Sequence, residues 1–138
     1  MPKRKSFRWS HSSRTKLHSC EPQLISLFDD VLNEIDCTII CGERGCNAQN
    51  EAFRTGHSKV EWPHSKHNVI GGSGVKSRAV DVAPCPIDWN DRDRFMHFAG
   101  IVRGISVGMG ISVRWGGNWN GGDLEPQRFD DLMHFELK

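Results

Sequence analysis

Asp81 stands in the middle of a short apolar run, Ala79-Val80-Asp81-Val82-Ala83, closed by Pro84. A carboxylate buried in such a strand is costly unless it is paired or bound to a metal ion. The fold must therefore bring partners to Asp81 from distant parts of the chain. Two histidines are candidates. His134 lies in a second apolar run, Leu132-Met133-His134-Phe135-Glu136-Leu137, with Asp131 three residues before it. His67 lies in a polar loop upstream, where His64 and His57 compete with it. Two histidines and one carboxylate, with a fourth position left to water, form the ligand set of a catalytic zinc site, and a further carboxylate near that water would be its general base. Read singly, His134 is equally a hydrogen-bonded core histidine, Asp81 a paired structural carboxylate and His67 a surface residue.

The apolar spacing divides the rest of the chain. Leu24, Ile25, Leu27, Phe28, Val31, Leu32 and Ile35 fall at helical intervals over 21–35, with Pro22 suited to a first turn. Cys37–Cys41 reads as a strand, Asn47–Phe53 as a second helix and 57–77 as loop. A strand over Ala79–Ala83 is followed by a third helix, Asp91–Val107, and a strand over Ile111–Trp115. A Gly/Asn/Asp loop then leads from Gly116 to Gln127, and Leu132–Leu137 is a final strand. This order predicts an α+β fold, a single domain with about three helices on a small antiparallel sheet that carries the zinc site. Residues 1–19, with three lysines and three arginines, read as a flexible basic arm before a catalytic domain over 20–138, with Phe7 and Trp9 as the side chains that could dock it.

The chain has 138 residues, enough for one core. A formal net charge of +1 argues against a nucleic-acid partner held by bulk charge. No apolar run approaches the roughly 20 residues that cross a bilayer, so no membrane insertion is expected. The basic start lacks the apolar stretch of a secretory signal. The five cysteines, an odd number without a CxxC pair, read as reduced thiols. Cys37, Cys41 and Cys46 fit no common zinc-knuckle spacing.

Taken together, the motifs resemble a known family. Ser65-Lys66-His67, then Ala79-Val80-Asp81, then Asp131-Leu132-Met133-His134 resemble the VanY/VanX-like zinc D,D- and L,D-peptidases, and within them the phage endolysins that are L-alanyl-D-glutamate peptidases. Gly42-Glu43-Arg44 followed by Gln49 is similar to the family's strand-end arginine and helix glutamine. Trp62-Pro63, Pro86-Ile87-Asp88-Trp89 and Arg114-Trp115-Gly116-Gly117-Asn118-Trp119 resemble the same subgroup, and the likeness spans 20–138. Three features depart from the pattern: Ser77 stands where the family has glycine, the loop between His67 and Asp81 is longer, and Asn118 and Asn120 stand where relatives often carry aspartate. A longer loop is tolerated, because closure entropy grows slowly with length.

The resemblance implies one zinc ion per chain held by His67, Asp81 and His134, with His64 as the alternative to His67. Asp131 would be the general base. Arg44 would stabilise the developing oxyanion or anchor a substrate carboxylate. Gln49, Ser65 and Trp119 would contact substrate. The implied activity is hydrolysis of the L-alanyl-D-glutamate bond of the peptidoglycan stem peptide by a monomer. That monomer would accumulate in the host cytoplasm and act on the wall after release. The rivals are a D-alanyl-D-alanine carboxypeptidase of the same family and a non-catalytic, zinc-stabilised wall-peptide module. In a regular strand Asp131 and His134 would face opposite sides, so a turn or bulge must precede the strand for both to reach one metal. Separately, Asn118, Asn120 and Asp123 place oxygen ligands at alternating positions, as calcium loops do.

Overall fold

The structure is a computed structural model that describes residues 6–71, 74–118 and 131–138. Its elements run α1 (His11–His18), α2 (Pro22–Glu34), β1 (Cys37–Cys41), α3 (Cys46–Arg54), β2 (Ala79–Pro84), α4 (Arg92–Met109), β3 (Val113–Trp115) and β4 (His134–Leu137). The strands form one antiparallel sheet in the order β1-β2-β4-β3. The α+β architecture holds, with one more helix than the periodicity shows.

That helix is α1, inside the stretch expected to be an arm. Ser10 caps it by accepting from the Ser13 amide at 3.1 Å. Leu17 is fully buried in the core. The buried Ser13 hydroxyl accepts from the Ile39 amide of β1 at 3.1 Å, and Trp9 Nε1 donates to Asp29 of α2 at 2.8 Å. Residues 6–19 are thus docked onto the sheet, and the boundary expected at residue 20 is not a boundary of the fold. Only one apolar side chain of α1 is buried, so an amphipathic stripe was never there to be read.

The sheet has two chemically different faces. Val80, Val82, Phe135 and Leu137 belong to the core with Leu24, Phe28 and Val31 of α2 and Phe98 and Val102 of α4. Phe135 meets Phe28 and Phe98 edge-on, at centroid separations of 5.5 and 6.0 Å. Alternation sends Asp81, His134 and Glu136 to the opposite face. There Asp81 and His134 are direct cross-strand partners. Asp91 caps α4 by accepting from the Arg94 amide, and Gly110, at φ 70°, ends it. No helix among the described residues is long and apolar enough to cross a membrane.

Gly42, just beyond β1, is a position where a side chain cannot fit. A Cβ there would lie 2.1 Å from the Lys16 carbonyl oxygen and 2.4 Å from Ser19 Oγ. Both belong to the end of α1 and the turn that follows it. Gly42→Ala should therefore push β1 and α1 apart, at a cost of about 1–3 kcal/mol or more. Thermal unfolding of the purified variant reads this out, and a Tm equal to the parent's would contradict the packing.

Candidate metal centre

Three side chains from three segments converge on the polar face of the sheet. His67 Nε2 is 3.2 Å from Asp81 Oδ1 and 3.2 Å from His134 Nδ1, and His134 Nδ1 is 3.1 Å from the same Asp81 oxygen. All three are buried. Backbone contacts fix the loop that brings in His67. The Arg44 amide donates to the His67 carbonyl oxygen at 2.8 Å, and His67 Nδ1 donates to the Gly42 carbonyl oxygen at 2.7 Å. His134 Nε2 donates to Glu136 Oε1 at 2.9 Å.

Those outer bonds decide what the inner atoms are. With its proton on Nδ1, neutral His67 presents a lone pair at Nε2. With its proton on Nε2, neutral His134 presents one at Nδ1. Two imidazole lone pairs and a carboxylate oxygen thus face one another at 3.1–3.2 Å, an arrangement that demands a cation between them. In the metal-free chain protons meet that demand. Burial works against the His67 imidazolium, and the Asp81 charge outweighs it and raises the group to about 10. Burial opposes protonation of His134 as well, and the hydrogen bonds it donates to Asp81 and Glu136 raise it. Asp81 is pushed up by burial, but the two imidazoles outweigh that and hold it far below the usual carboxylate range. A metal ion satisfies all three donors at once. Nitrogen and oxygen ligands about 2.0–2.1 Å from a tetrahedral ion lie about 3.3 Å apart, close to the observed spacing. The residues present fit such an ion.

Asp131 sits beside this trio. The Asp131 carbonyl oxygen accepts from the His134 amide at 3.1 Å, closing a turn immediately before β4. The turn is what the three-residue offset required, and it brings Asp131 Oδ2 to 3.9 Å from His134 Nδ1. Burial pushes the Asp131 carboxyl up to about 6, and the Asp81 charge adds to the rise. Gly116 lets the turn lie against the end of β3, since a Cβ there would be 2.1 Å from the Asp131 carbonyl oxygen. Arg44 Nη2 lies 3.3 Å from Asp81 Oδ2, the oxygen turned away from the histidines.

A groove of about 450 Å³ opens over these groups, lined by Arg44, His67, Asp131 and His134 and rimmed by Lys59, His64 and Ser65. The family model for the phage L-alanyl-D-glutamate peptidase matches residues 5–138. The chain belongs to that family. The peptidase is also similar to a solved structure, the Serratia marcescens L-Ala D-Glu endopeptidase ChiX. The two share 26% identity at a TM-score of 0.75, over 97% of this chain and 92% of that one. No curated relative matches the chain.

The peptidase's other expected site residues divide. His64 is exposed on the groove rim and, among the described residues, joins no metal-capable cluster, so His67 is the histidine brought to Asp81 and His134. Gln49 requires a correction. It is fully buried, and its amide is saturated: Oε1 accepts from Arg44 Nη1 and Asn68 Nδ2, while Nε2 donates to Ser58 Oγ and the Val60 carbonyl oxygen. It braces Arg44 and has no capacity left for substrate. Ser65 Oγ accepts from the His67 amide at 3.2 Å, which leaves its proton free to turn towards the groove. Trp119, Asn120 and Asp123 lie outside the described residues, and with them most of the expected calcium loop.

Two neighbours were not read from the sequence. Cys41 has its sulfur within 4.8 Å of ligand atoms of His67 and Asp81. A register shift between Ile39 and Cys41 sets it opposite Asp81. Burial would raise its thiol, but the hydrogen bond and charge of His67 outweigh burial and lower it. Glu136, two residues past His134 on the same strand face, could have been found from period-2 spacing alone.

Proposed function

We propose that the chain is a zinc-dependent endopeptidase that cuts the L-alanyl-D-glutamate bond of the peptidoglycan stem peptide and so lyses the bacterial wall. The observation that carries the reading is the convergence of two imidazole lone pairs and a carboxylate beside a further, partly exposed carboxylate, in a chain of this family. His67, Asp81 and His134 would hold one zinc ion per chain. Zinc held there supplies Lewis-acid polarisation and an acidified water, with a pKa drawn towards ~7.

The chain's own groups do the rest. Asp131, whose carboxylate lies 3.9 Å from His134 Nδ1, takes the proton of the attacking water and returns it to the leaving amine. Arg44, braced by Gln49 on one nitrogen and facing Asp81 with another, aims a fixed positive charge into the groove. There it stabilises the oxyanion or anchors a carboxylate of the stem peptide. Ser65 offers its hydroxyl proton to the peptide. Trp119 would contact the peptide, as its place in the family motif implies. The chain would act as a monomer that accumulates in the host cytoplasm before release to the wall.

Digestion of purified peptidoglycan tests the reading. Mass spectrometry of the products should find fragments with a new N-terminal D-glutamate. Chelator should abolish their release and added zinc restore it. Loss of a terminal D-alanine instead would assign a carboxypeptidase, and zinc binding with no cleavage would leave only a wall-binding module.

A further inference from the structure

Glu136 takes no part in the chemistry described so far, yet it is a carboxylate only 8% exposed. Such a group needs partners, and it has two. Oε1 accepts from His134 Nε2 at 2.9 Å, and Oε2 lies 2.9 Å from Lys66 Nζ. Lys66 immediately precedes His67 and also donates to the Leu137 carbonyl oxygen. One lysine therefore ties the loop that carries one imidazole to the strand that carries the other.

The consequence for His134 is geometric. Turning the ring by half a rotation about Cβ–Cγ would exchange Nδ1 with a carbon and Nε2 with another carbon. The ring would then offer a C–H to Asp81 and His67, and another C–H to Glu136. In the observed orientation both nitrogens are used. The geometry points to Glu136 as a positioning residue for His134. It accepts the Nε2 proton, aims the Nδ1 lone pair at the point shared with His67 and Asp81, and is itself held by Lys66. A carboxylate behind a ligating imidazole fixes the tautomer and raises the ligand's basicity, so its removal weakens metal binding. The inference rests on the reading of His134 as a metal ligand.

The test uses the full chain stripped of metal and titrated with zinc against a competing chelator. Glu136→Gln keeps the shape but offers a neutral acceptor, and its zinc dissociation constant should rise by about 10–100-fold. Lys66→Met leaves Glu136 in place without its counter-charge and should show a smaller rise. The visible spectrum of the cobalt-loaded Glu136→Gln protein should differ from the parent's, a change that a merely structural role would not produce. An unchanged zinc constant and cobalt spectrum in Glu136→Gln overturn the proposal. If that variant fails to fold, an unchanged constant in Lys66→Met overturns it. His134→Ala separates the two levels. Zinc retained there refutes the ligand assignment itself, whereas zinc lost there but held normally by Glu136→Gln refutes only the positioning role.

Discussion

His67→Ala, Asp81→Ala and His134→Ala should each purify without zinc and release no muropeptides, whereas His64→Ala should keep both metal and activity. Three protein donors meet at the centre, so losing one leaves two for an ion that takes three from the protein in catalytic sites. The loss should therefore be close to complete rather than graded. His64 stands exposed on the rim and joins none of the metal-capable clusters among the described residues. Asp81→Ala should carry an additional penalty. It leaves His67 Nε2 and His134 Nδ1 3.2 Å apart with no carboxylate between them and takes from Arg44 its ion-pair partner, so its Tm should fall furthest of the three. Elemental analysis and thermal unfolding of the four proteins check this. A zinc-loaded His67→Ala beside an empty His64→Ala would reverse the assignment.

How much of this was legible depended on which physical signal each part leaves in the chain. Asp81 was legible because a charge inside Ala79-Val80-Asp81-Val82-Ala83 has a high burial cost, and the fold pairs it directly with His134 across β2 and β4. Helices α2 and α4 were legible because they bury an apolar stripe. Helix α1 was not, because a buried serine hydroxyl, a capped end and Trp9 outside the helix attach it in place of apolar periodicity. Gln49 lies against Arg44 and is closed to the groove. Its position on α3 follows from the motif, but whether an amide faces substrate or a neighbouring arginine depends on packing that no spacing encodes. Cys41 reaches Asp81 through a register irregularity in β1, and irregularities of that kind have no pattern at the level of residue type.

Asp131 distinguishes an enzyme from a protein that merely holds zinc. Its carboxylate lies 3.9 Å from His134 Nδ1, beyond hydrogen-bond reach yet close enough to belong to a second metal-capable group with Asp81 and His134. Three roles are therefore physically open to it, and each has a different signature in Asp131→Asn. As a base, it is replaced by a group of nearly the same shape that cannot take a proton. That variant folds, keeps its zinc, binds wall peptide and loses turnover by on the order of 10²–10⁴. As a ligand, its loss would lower zinc content. As a turn residue, it would cost a little stability and leave the rate intact, since the turn itself is closed by the Asp131 backbone carbonyl and not by its side chain. The base role also fixes the sign of the pH dependence. Burial raises the carboxyl to about 6 in the metal-free chain, and a bound cation nearby lowers it again. The acid limb of kcat/KM should accordingly fall at or below about pH 6, where Asp131 becomes protonated, and the residual rate of Asp131→Asn should lack that limb. A variant that keeps its zinc, its full rate and the parental acid limb would show that the proton goes elsewhere.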